Sequence, residues 1–312
     1  MAQSAVAAPR IASGIRGWLS KPARREAISG YLFILPTFLG YTIFIIGPIL
    51  AAIGLSFTQY DLLSSPTFTG LENYRRLASD TRLHLVYRNT IFFTVVSVFF
   101  NIGTGLLLAV LLNRKMPAFL RYFLRSAFFF PVLIGHVYIA IIWQFLYQQD
   151  TGVINYYLGL IGLGPYPWLS SGQWAMPSVI IMDVWKNTGF AMLVCLAGLQ
   201  NVPQDYYEAA ALDGAGAWTR FRSITLPLIS PTLFFLSVIF AIGAIQVFDS
   251  IIVLTNGGPG DSTRSIVMYL REAAFENFEM GYGSAVAITL FAAIMALTLV
   301  QFRVSRAWVH YE

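Results

Sequence analysis

Residues 89–112 read NTIFFTVVSVFFNIGTGLLLAVLL, a run dominated by Phe, Val, Ile and Leu and interrupted only by Asn101, Thr104 and small residues. A helix needs about 20 mostly apolar residues to cross a bilayer, so this stretch predicts a transmembrane helix. Five more stretches satisfy the same criterion. The six predicted spans are Tyr31–Phe57, Asn89–Leu112, Ser126–Tyr147, Pro177–Leu199, Thr232–Leu254 and Ser284–Phe302.

The composition of the whole chain agrees with this prediction. Of its 312 residues, 57% are hydrophobic and 11% charged, and the mean hydropathy is +0.65. Soluble domains carry about 25% charged residues, so a soluble enzyme, a disordered chain and a secreted disulfide scaffold are all poor fits. The single cysteine, Cys195, excludes an internal disulfide and a cysteine-cluster metal site. The fold class we predict is an all-α membrane protein with six transmembrane helices.

The basic residues predict the orientation of these spans. With the N-terminus inside, Lys and Arg are about twice as frequent in the inside segments as in the outside ones, and both termini are cytoplasmic. The basic N-terminal segment has no apolar run of signal-peptide type, so the first span is predicted to be an uncleaved anchor. The predicted divisions are a cytoplasmic tail at 1–30, the first span at 31–57, an external loop at 58–88, a core of five spans at 89–302 containing a large cytoplasmic loop at 203–227, and a cytoplasmic tail at 303–312.

Sequence motifs for catalysis and for nucleotide binding are missing from the chain. None of the three lysines follows a glycine, so the sequence holds no P-loop. There is no zinc-protease motif and no nucleophile elbow, which disfavours an enzyme embedded in the membrane. The histidines are widely separated in sequence. Only His136 falls in a predicted span, where a packing role is the favoured interpretation over a proton relay.

The loop at 203–227 reads PQDYYEAAALDGAGAWTRFRSITLP and is more than a connector. Asp205 is predicted to begin a helix, with Glu208 closing a capping box. The alanines that follow favour helix, and Asp213-Gly214 is predicted to end it, since glycine tolerates the left-handed conformation of a helix C-terminus. A second short helix is expected after the elbow. Such a hairpin either docks a partner or lies on lipid headgroups, and the residues alone do not decide between these interpretations.

Glu208-Ala209-Ala210, Asp213-Gly214-Ala215, Phe221, Ile224, Leu226-Pro227 and Pro231 resemble the EAA motif of ABC-importer permeases. The subgroup resembled is the binding-protein-dependent carbohydrate uptake type, which includes the maltose and glycerol-phosphate permeases. Three further stretches resemble that subgroup in the same order and spacing. They are FTGLENY at 68–74, Trp185-Lys186 together with LQNVP at 199–203, and LTNGGP at 254–259. The resemblance extends from about Tyr31 to the C-terminus.

The resemblance implies a type I ABC-importer permease fold and a subunit that is not itself catalytic. The EAA loop would be the coupling helix that contacts a separate ATPase. Two ATPase copies, a second and different permease and an external binding protein are the implied partners. ATP and Mg would be bound by the ATPase, and this chain would need no cofactor of its own. The implied ATPase-coupling residues are Glu208, Ala209, Ala210, Asp213, Gly214 and Ala215.

The fourth span carries the ionisable residues Asp183 and Lys186, which are costly inside a bilayer and therefore candidates for function. They are three residues apart on one helical face and able to pair, and Asn187 and Phe190 extend that face. The resemblance implies that this face contacts sugar. A purely structural Asp183–Lys186 pair is the alternative. Lys186 also gives a weak hint of an anionic sugar derivative.

The fifth span presents a second stripe, and the resemblance places it on the sugar as well. Its members are smaller and less polar than a disaccharide site would suggest, which leaves the substrate open. The predicted substrate-binding residues are Asp183, Lys186, Asn187, Phe190, Phe240, Gly243, Ala244 and Val247, with Trp185, Gln246, Asp249 and Ser250 as possible additions.

Two functions therefore compete. The first is the permease subunit of an ATP-driven importer of a sugar or sugar derivative, located in a bacterial inner membrane. The second is a self-contained transporter driven by an ion gradient through Asp183, His136 or Asp249. Transporters of the second kind commonly show inverted repeats, and we find no repeat in this sequence.

Overall fold

The computed structural model describes residues 22–309, with side chains from residue 26 onward. Residues 1–21 of the predicted basic tail and 310–312 of the predicted C-terminal tail lie outside the described residues. The chain divides into two compact units, one ending at Gly54 and the other beginning at Leu55. In the described part the structure is almost entirely helical, as the composition predicts.

The first unit is dominated by one apolar helical segment. Helix α1 (Pro22–Tyr41) continues through a π-helical turn (Thr42–Ile46) into α2 (Gly47–Ser56). Residues Glu26–Ser56 form a single apolar stretch long enough to cross a membrane, so the first span is helical as predicted. It starts several residues before the predicted Tyr31.

The second unit contains the remaining elements. A two-stranded antiparallel hairpin pairs β1 (Thr58–Gln59) with β2 (Thr67–Phe68). The helices are α3 (Glu72–Ser79), α4 (Thr81–Leu112), α5 (Ala118–Phe129), α6 (His136–Leu146), α7 (Val153–Leu160), α8 (Ala175–Gln200), α9 (Gln204–Leu212), α10 (Ala217–Arg220), α11 (Leu226–Leu228), α12 (Ser230–Ile245), α13 (Asp249–Leu254), α14 (Ile266–Arg271) and α15 (Met280–Ser305). A 3₁₀ turn (Phe130–Leu133) follows α5, and π-helical turns lie at Phe221–Thr225 and Glu272–Glu276.

Among the described residues, α4, α8 and α15 are continuous helices long and apolar enough to span a membrane. The predicted third span, Ser126–Tyr147, is wrong as a single helix. It begins at Ala118 and bends by 103° between Leu133 and His136. Pro131 has no N–H to donate, and it lies in the 3₁₀ turn where the α-helical hydrogen bonding stops.

The predicted fifth span, Thr232–Leu254, is also broken. A segment from Ala217 to Leu228 meets α12 at a bend of 64°, and Pro231 lies at the start of α12. At its far end α12 stops at Ile245, and α13 starts only at Asp249. No glycine or proline occupies positions 246–248, so the sequence has no local signal for this second break.

Close helix packing in the core depends on particular glycines. A Cβ on Gly105 of α4 would lie 2.3 Å from the Cβ of Ala191 on α8, so these two helices touch through their backbones. A Cβ on Gly189 would lie 2.0 Å from the carbonyl oxygen of Phe128, where the broken third span crosses α8. A Cβ on Gly103 would meet no atom within 4 Å among the described residues.

Charged side chains fasten the loop after α13 to the start of α4. The Arg82 guanidinium donates to Asp261 at 2.7 Å and to Glu272 at 2.5 Å, and Arg264 donates to both carboxylates as well. Asn89 Nδ2 donates to the backbone oxygen of Asp261 at 2.7 Å. This network fixes the loop that leads out of α13, and α13 forms part of a cavity inside the helix bundle.

Candidate functional site

A cavity of about 330 Å³ lies among α4, α6, α8, α12 and α13, within the size range of small-molecule sites. Two of the three helix breaks, at 133–136 and at 246–248, border it, because His136 begins α6 and Asp249 begins α13. The cavity therefore forms where the third and fifth spans are interrupted. Its lining residues are Phe93, Asn101, His136, Asp183, Asn187, Phe190, Ile239, Phe240, Gly243, Ala244, Gln246, Val247, Phe248, Asp249 and Ser250.

Helix α8 contributes one wall of the cavity through Asp183, Asn187 and Phe190, at the helical spacing that places them on one face. The Asp183 carboxylate is buried and is held from two sides. Asn101 Nδ2 donates to its Oδ2 at 2.9 Å, and Asn187 Nδ2 donates to its Oδ1 at 2.9 Å. A buried carboxylate needs such donors, since an unpaired one is costly.

Two predicted residues of α8 lie outside the cavity lining. Lys186 is 4% exposed and makes no ion pair within 4.0 Å in the described part of the chain, so it attracts the Asp183 carboxylate from a distance and does not contact it. Trp185 faces away: its ring lies edge-on to Trp143 at 5.6 Å and borders a separate apolar recess with Phe92 and Ile181. The face of α8 that the sequence predicts to contact substrate therefore includes two residues, Trp185 and Lys186, that do not line the cavity.

Helix α12 and the break after it supply the opposite wall. Phe240, Gly243, Ala244 and Val247 line the cavity as one stripe. The Phe240 ring meets the Phe190 ring of α8 edge-to-face, with centroids 6.0 Å apart. Three possible additions from the sequence, at the helix break and the start of α13, also line the cavity: Gln246, Asp249 and Ser250. The structure thus brings together residues from the two predicted stripes, while their contact with substrate remains a prediction.

The sequence reasoning missed the contribution of the second span. Asn101 and Phe93 of α4 line the cavity, and Asn101 Oδ1 is buried without a hydrogen-bond partner among the described residues. A polar residue in the middle of an otherwise apolar span was the available signal for Asn101. The sequence favoured a packing role for His136, yet this side chain lies on the cavity wall.

The coupling loop, residues 203–227, forms the predicted helix–elbow–helix. Helix α9 ends at Leu212, and Gly214, two residues later, has φ +77°, a conformation that glycine adopts without strain. The N–H of Gly214 donates to the oxygen of Ala211, and that of Ala215 donates to Ala210 at 2.9 Å. These two bonds define a Schellman motif, in which the residues after the helix satisfy its last carbonyls.

The predicted capping box at the start of α9 is wrong. The helix begins at Gln204 after Pro203, with no side-chain hydrogen bond at its cap, and Asp205 lies inside the first turn. An acidic residue in that turn still complements the helix dipole. Pro203 precedes the helix instead. Its fixed backbone angle suits that position, and the helix needs no backbone N–H there, which proline lacks.

The coupling loop presents a mixed apolar and charged surface. The predicted coupling residues Glu208, Ala209, Asp213 and Gly214 are exposed, and Ala210 and Ala215 are half-buried. Leu212 and Trp218 are 90% and 71% exposed, which is unusual for large apolar side chains outside an interface. The hydroxyls of Tyr207 and Thr225, 3.0 Å apart, connect α9 to the π-helical turn that follows α10. This arrangement can receive a partner surface without refolding.

The described residues contain no group of three or more His, Cys, Asp and Glu side chains that could hold a metal ion. A cavity at two interrupted spans and an exposed hairpin with the EAA sequence are features expected of a membrane permease. The chain belongs to the family of binding-protein-dependent transport system inner membrane components, whose model matches residues 101–309. Subunits of this family are non-catalytic. The family and the likeness to a solved importer structure confirm the predicted type I importer permease fold.

Similar proteins match along nearly their whole length. The trehalose/maltose transport system permease protein MalF of Thermococcus litoralis is 38% identical, with 92% of this chain and 97% of that protein covered. The probable ABC transporter permease protein YesP of Bacillus subtilis is 36% identical, with 94% and 95% covered. The crystal structure of a bacterial alginate ABC transporter, in complex with an alginate pentasaccharide-bound periplasmic protein, contains a chain that superposes with a TM-score of 0.80 at 25% identity, with 93% and 98% covered.

Proposed function

We propose that this chain is a transmembrane subunit of an ATP-driven, binding-protein-dependent importer of a sugar or sugar derivative, located in a bacterial inner membrane. The similar proteins support the substrate class, because one is named for trehalose and maltose and another for alginate. The alternative of a self-contained, ion-driven transporter is not favoured, since the chain matches a family of importer subunits over residues 101–309.

The observation that carries this proposal is the cavity at the two helix breaks. Asp183, Asn187 and Asn101 provide polar atoms, and Phe190 and Phe240 provide aromatic faces beside them. Hydrogen-bonding groups next to aromatic rings suit a sugar, whose hydroxyls and C–H faces need both kinds of contact. A cavity at interrupted spans is also where membrane transporters place their substrates.

Energy for transport would come through the coupling loop. Glu208, Ala209, Ala210, Asp213, Gly214 and Ala215 would contact one ATPase subunit, which binds ATP and Mg itself. Closure of the two ATPase subunits would move this loop and so reorient the cavity from one side of the membrane to the other. A second, different permease and an external binding protein would complete the importer. The periplasmic protein in the alginate transporter complex supports that last partner.

The test begins with a tagged copy of this chain extracted in mild detergent. Mass spectrometry should find a P-loop ATPase and a second EAA-bearing permease in comparable amounts. Proteoliposomes of this complex should take up sugar with internal ATP and continue to do so with an uncoupler present. A chain that purifies alone and moves solute without ATP would contradict the proposal and return attention to Asp183 and His136.

A further inference from the structure

The charges on the cavity wall are unequal. Of the described residues that line it, Asp183 and Asp249 are carboxylates and none is Lys or Arg. In that same lining, His136 is the one side chain that can carry a positive charge, and a histidine is mostly neutral at pH 7. Lys186 is buried within α8 outside the lining, where its charge acts on Asp183 and His136 and offsets part of this negative charge, whereas Asp249 makes no ion pair among the described residues.

One hydrogen-bond acceptor of the cavity wall lacks a donor within the described part of the chain. The Nδ2 groups of Asn101 and Asn187 are both directed to Asp183. Asn101 is 2% exposed, and its Oδ1 has no partner among the described residues although the side chain lines the cavity. A buried acceptor in this state needs a donor, and native proteins leave few such atoms unpaired.

A ligand that donates a hydrogen bond and carries no negative charge complements Asn101 Oδ1 and the carboxylates of this wall. Sugar hydroxyls donate, and the Phe190 and Phe240 rings offer apolar surface to the C–H face of a sugar ring. A uronate or sulfonate group would face carboxylates on this wall, and like charges at short range in a partly dry site repel strongly.

We propose that the substrate is an uncharged carbohydrate, whose hydroxyls donate to Asn101 and to the carboxylates of the cavity. This inference rests on the proposed function and narrows it. It sets this chain apart from the alginate transporter chain, whose substrate is an acidic polysaccharide, despite their shared fold. It also reverses the hint of an anionic sugar that Lys186 gives in the sequence.

The test uses the importer purified through a tag on this chain and reconstituted with internal ATP. Periplasmic extract from the same cells supplies the binding protein. The probes are oligosaccharides from partial hydrolysis of plant and algal polysaccharides, separated by anion exchange into a neutral pool and an acidic pool. Mass spectrometry of the vesicle contents identifies whatever is imported.

We expect ATP-dependent import from the neutral pool alone. ATP-dependent import of a uronate- or sulfonate-bearing sugar would overturn the charge assignment while leaving the importer function intact. If neither pool contains an imported sugar, both the sugar assignment and this inference fail.

Two variants separate the binding protein's selectivity from that of the permease. Binding of the imported sugar to the importer is measured without binding protein. The competition of the acidic pool with this sugar is then compared between the wild-type importer and each variant. Asp249→Lys reverses one charge on the wall and should improve that competition about tenfold. Asn101→Leu should weaken neutral-sugar binding about tenfold, whereas Phe99→Leu, at an exposed position of the same helix, should not change it. Unchanged competition with Asp249→Lys, or unchanged binding with Asn101→Leu, would overturn the proposal.

Discussion

The surroundings of Lys186 depend on residues of a second helix as well as on its own helix. Its spacing from Asp183 suits an ion pair, yet Asp183 takes its hydrogen bonds from Asn101 and Asn187. Asn101 comes from α4, so the competitor for the carboxylate lies far away in sequence. Lys186 is left buried, with no ion pair or hydrogen bond to another side chain in the described part of the protein.

Replacing this lysine should therefore cost little. Lys186→Met keeps the length of the side chain and removes a buried charge for which the cost of burial outweighs the attraction of Asp183. We expect thermal stability to be unchanged or higher and sugar uptake to stay within about threefold of wild type. Both can be measured in the purified importer. A loss of uptake by a factor of about 100 would show that Lys186 acts on the substrate after all.

Asp80 and Asp261 connect helices and loops on the predicted external side through hydrogen bonds. Burial pushes the pKa of Asp80 upward, but hydrogen bonds from Tyr269 and Tyr282 outweigh it and leave the pKa below its ordinary value of 3.8. The hydrogen bond from Arg82 lowers the pKa of Asp261, and Arg264 adds to the effect. Each carboxylate is therefore more stably ionised in the folded protein than in the unfolded chain.

Acid should remove this stabilisation. A group with a lowered folded-state pKa stabilises the fold fully above its ordinary pKa, and the contribution disappears as pH falls through the lowered value. The melting temperature of the purified importer should hold above about pH 5 and decline below about pH 4. Asp261→Asn should begin less stable and show a shallower decline. A decline of equal depth in the variant would mean that other groups cause it.

At the scale of the element, the elbow of the coupling loop depends on one backbone angle. Gly214 has φ +77°, and a Cβ added there would meet no atom within 4 Å, so strain rather than space makes glycine necessary. Gly216, two residues on, has φ −68° and equally open surroundings. The pair therefore offers a matched comparison within one loop.

Gly214→Ala should cost about 1 kcal/mol or more in the elbow, because left-handed backbone is unfavourable for residues with a Cβ. We expect lower sugar uptake per ATP hydrolysed at normal protein levels, and Gly216→Ala should behave as wild type. Uptake and ATP hydrolysis measured together on proteoliposomes test this. Equal coupling ratios in the two variants would remove the role given to the elbow.

Charge on the same element should matter as well. Glu208 is exposed on α9 and makes no hydrogen bond or ion pair within the described chain. This is expected of a side chain that contacts another subunit. Glu208→Lys should abolish ATP-dependent uptake without loss of the membrane protein, because it reverses the charge presented to the ATPase. Normal uptake in this variant would contradict the assignment of the coupling loop.

The packing of α4 on α8 provides a second matched pair. A Cβ at Gly105 would collide with Ala191, whereas one at Gly103 would meet nothing within 4 Å. Gly105→Ala should lower stability by about 1–3 kcal/mol through overpacking, and Gly103→Ala should be neutral or slightly stabilising. Thermal unfolding of the two variants in the same detergent measures the difference. Similar melting temperatures would show that the two helices can separate at no cost.

At the scale of the whole molecule, the orientation of the spans stays a prediction from charge. Cys195 is fully buried, so it provides a silent background for labelling with a thiol reagent. Ser64→Cys in the predicted external loop should react in intact cells. Thr219→Cys in the coupling loop should react only after the membrane is opened. The reverse pattern would invert the topology.

The apolar pattern predicted most of the architecture because a bilayer demands long apolar helices whatever their neighbours are. Six spans, the coupling hairpin and its glycine elbow followed from local composition. Interruptions within a span were harder to predict. Pro131 marks the first break, but the break at 246–248 has neither glycine nor proline, and the helix that follows it, α13, packs against α6.

The sequence alone determined the spans and the residues that share each stripe, since these depend on helical periodicity, and its resemblance to carbohydrate-importer permeases implied the class of protein and the substrate role of the two stripes. The tertiary structure decided which residues meet. It brought Asn101 from α4 to Asp183 on α8 and placed His136 at the cavity wall, while leaving Lys186 and Trp185 outside the lining. The physical reason is that hydrogen bonding and burial between distant helices depend on how the helices cross, which no local pattern records.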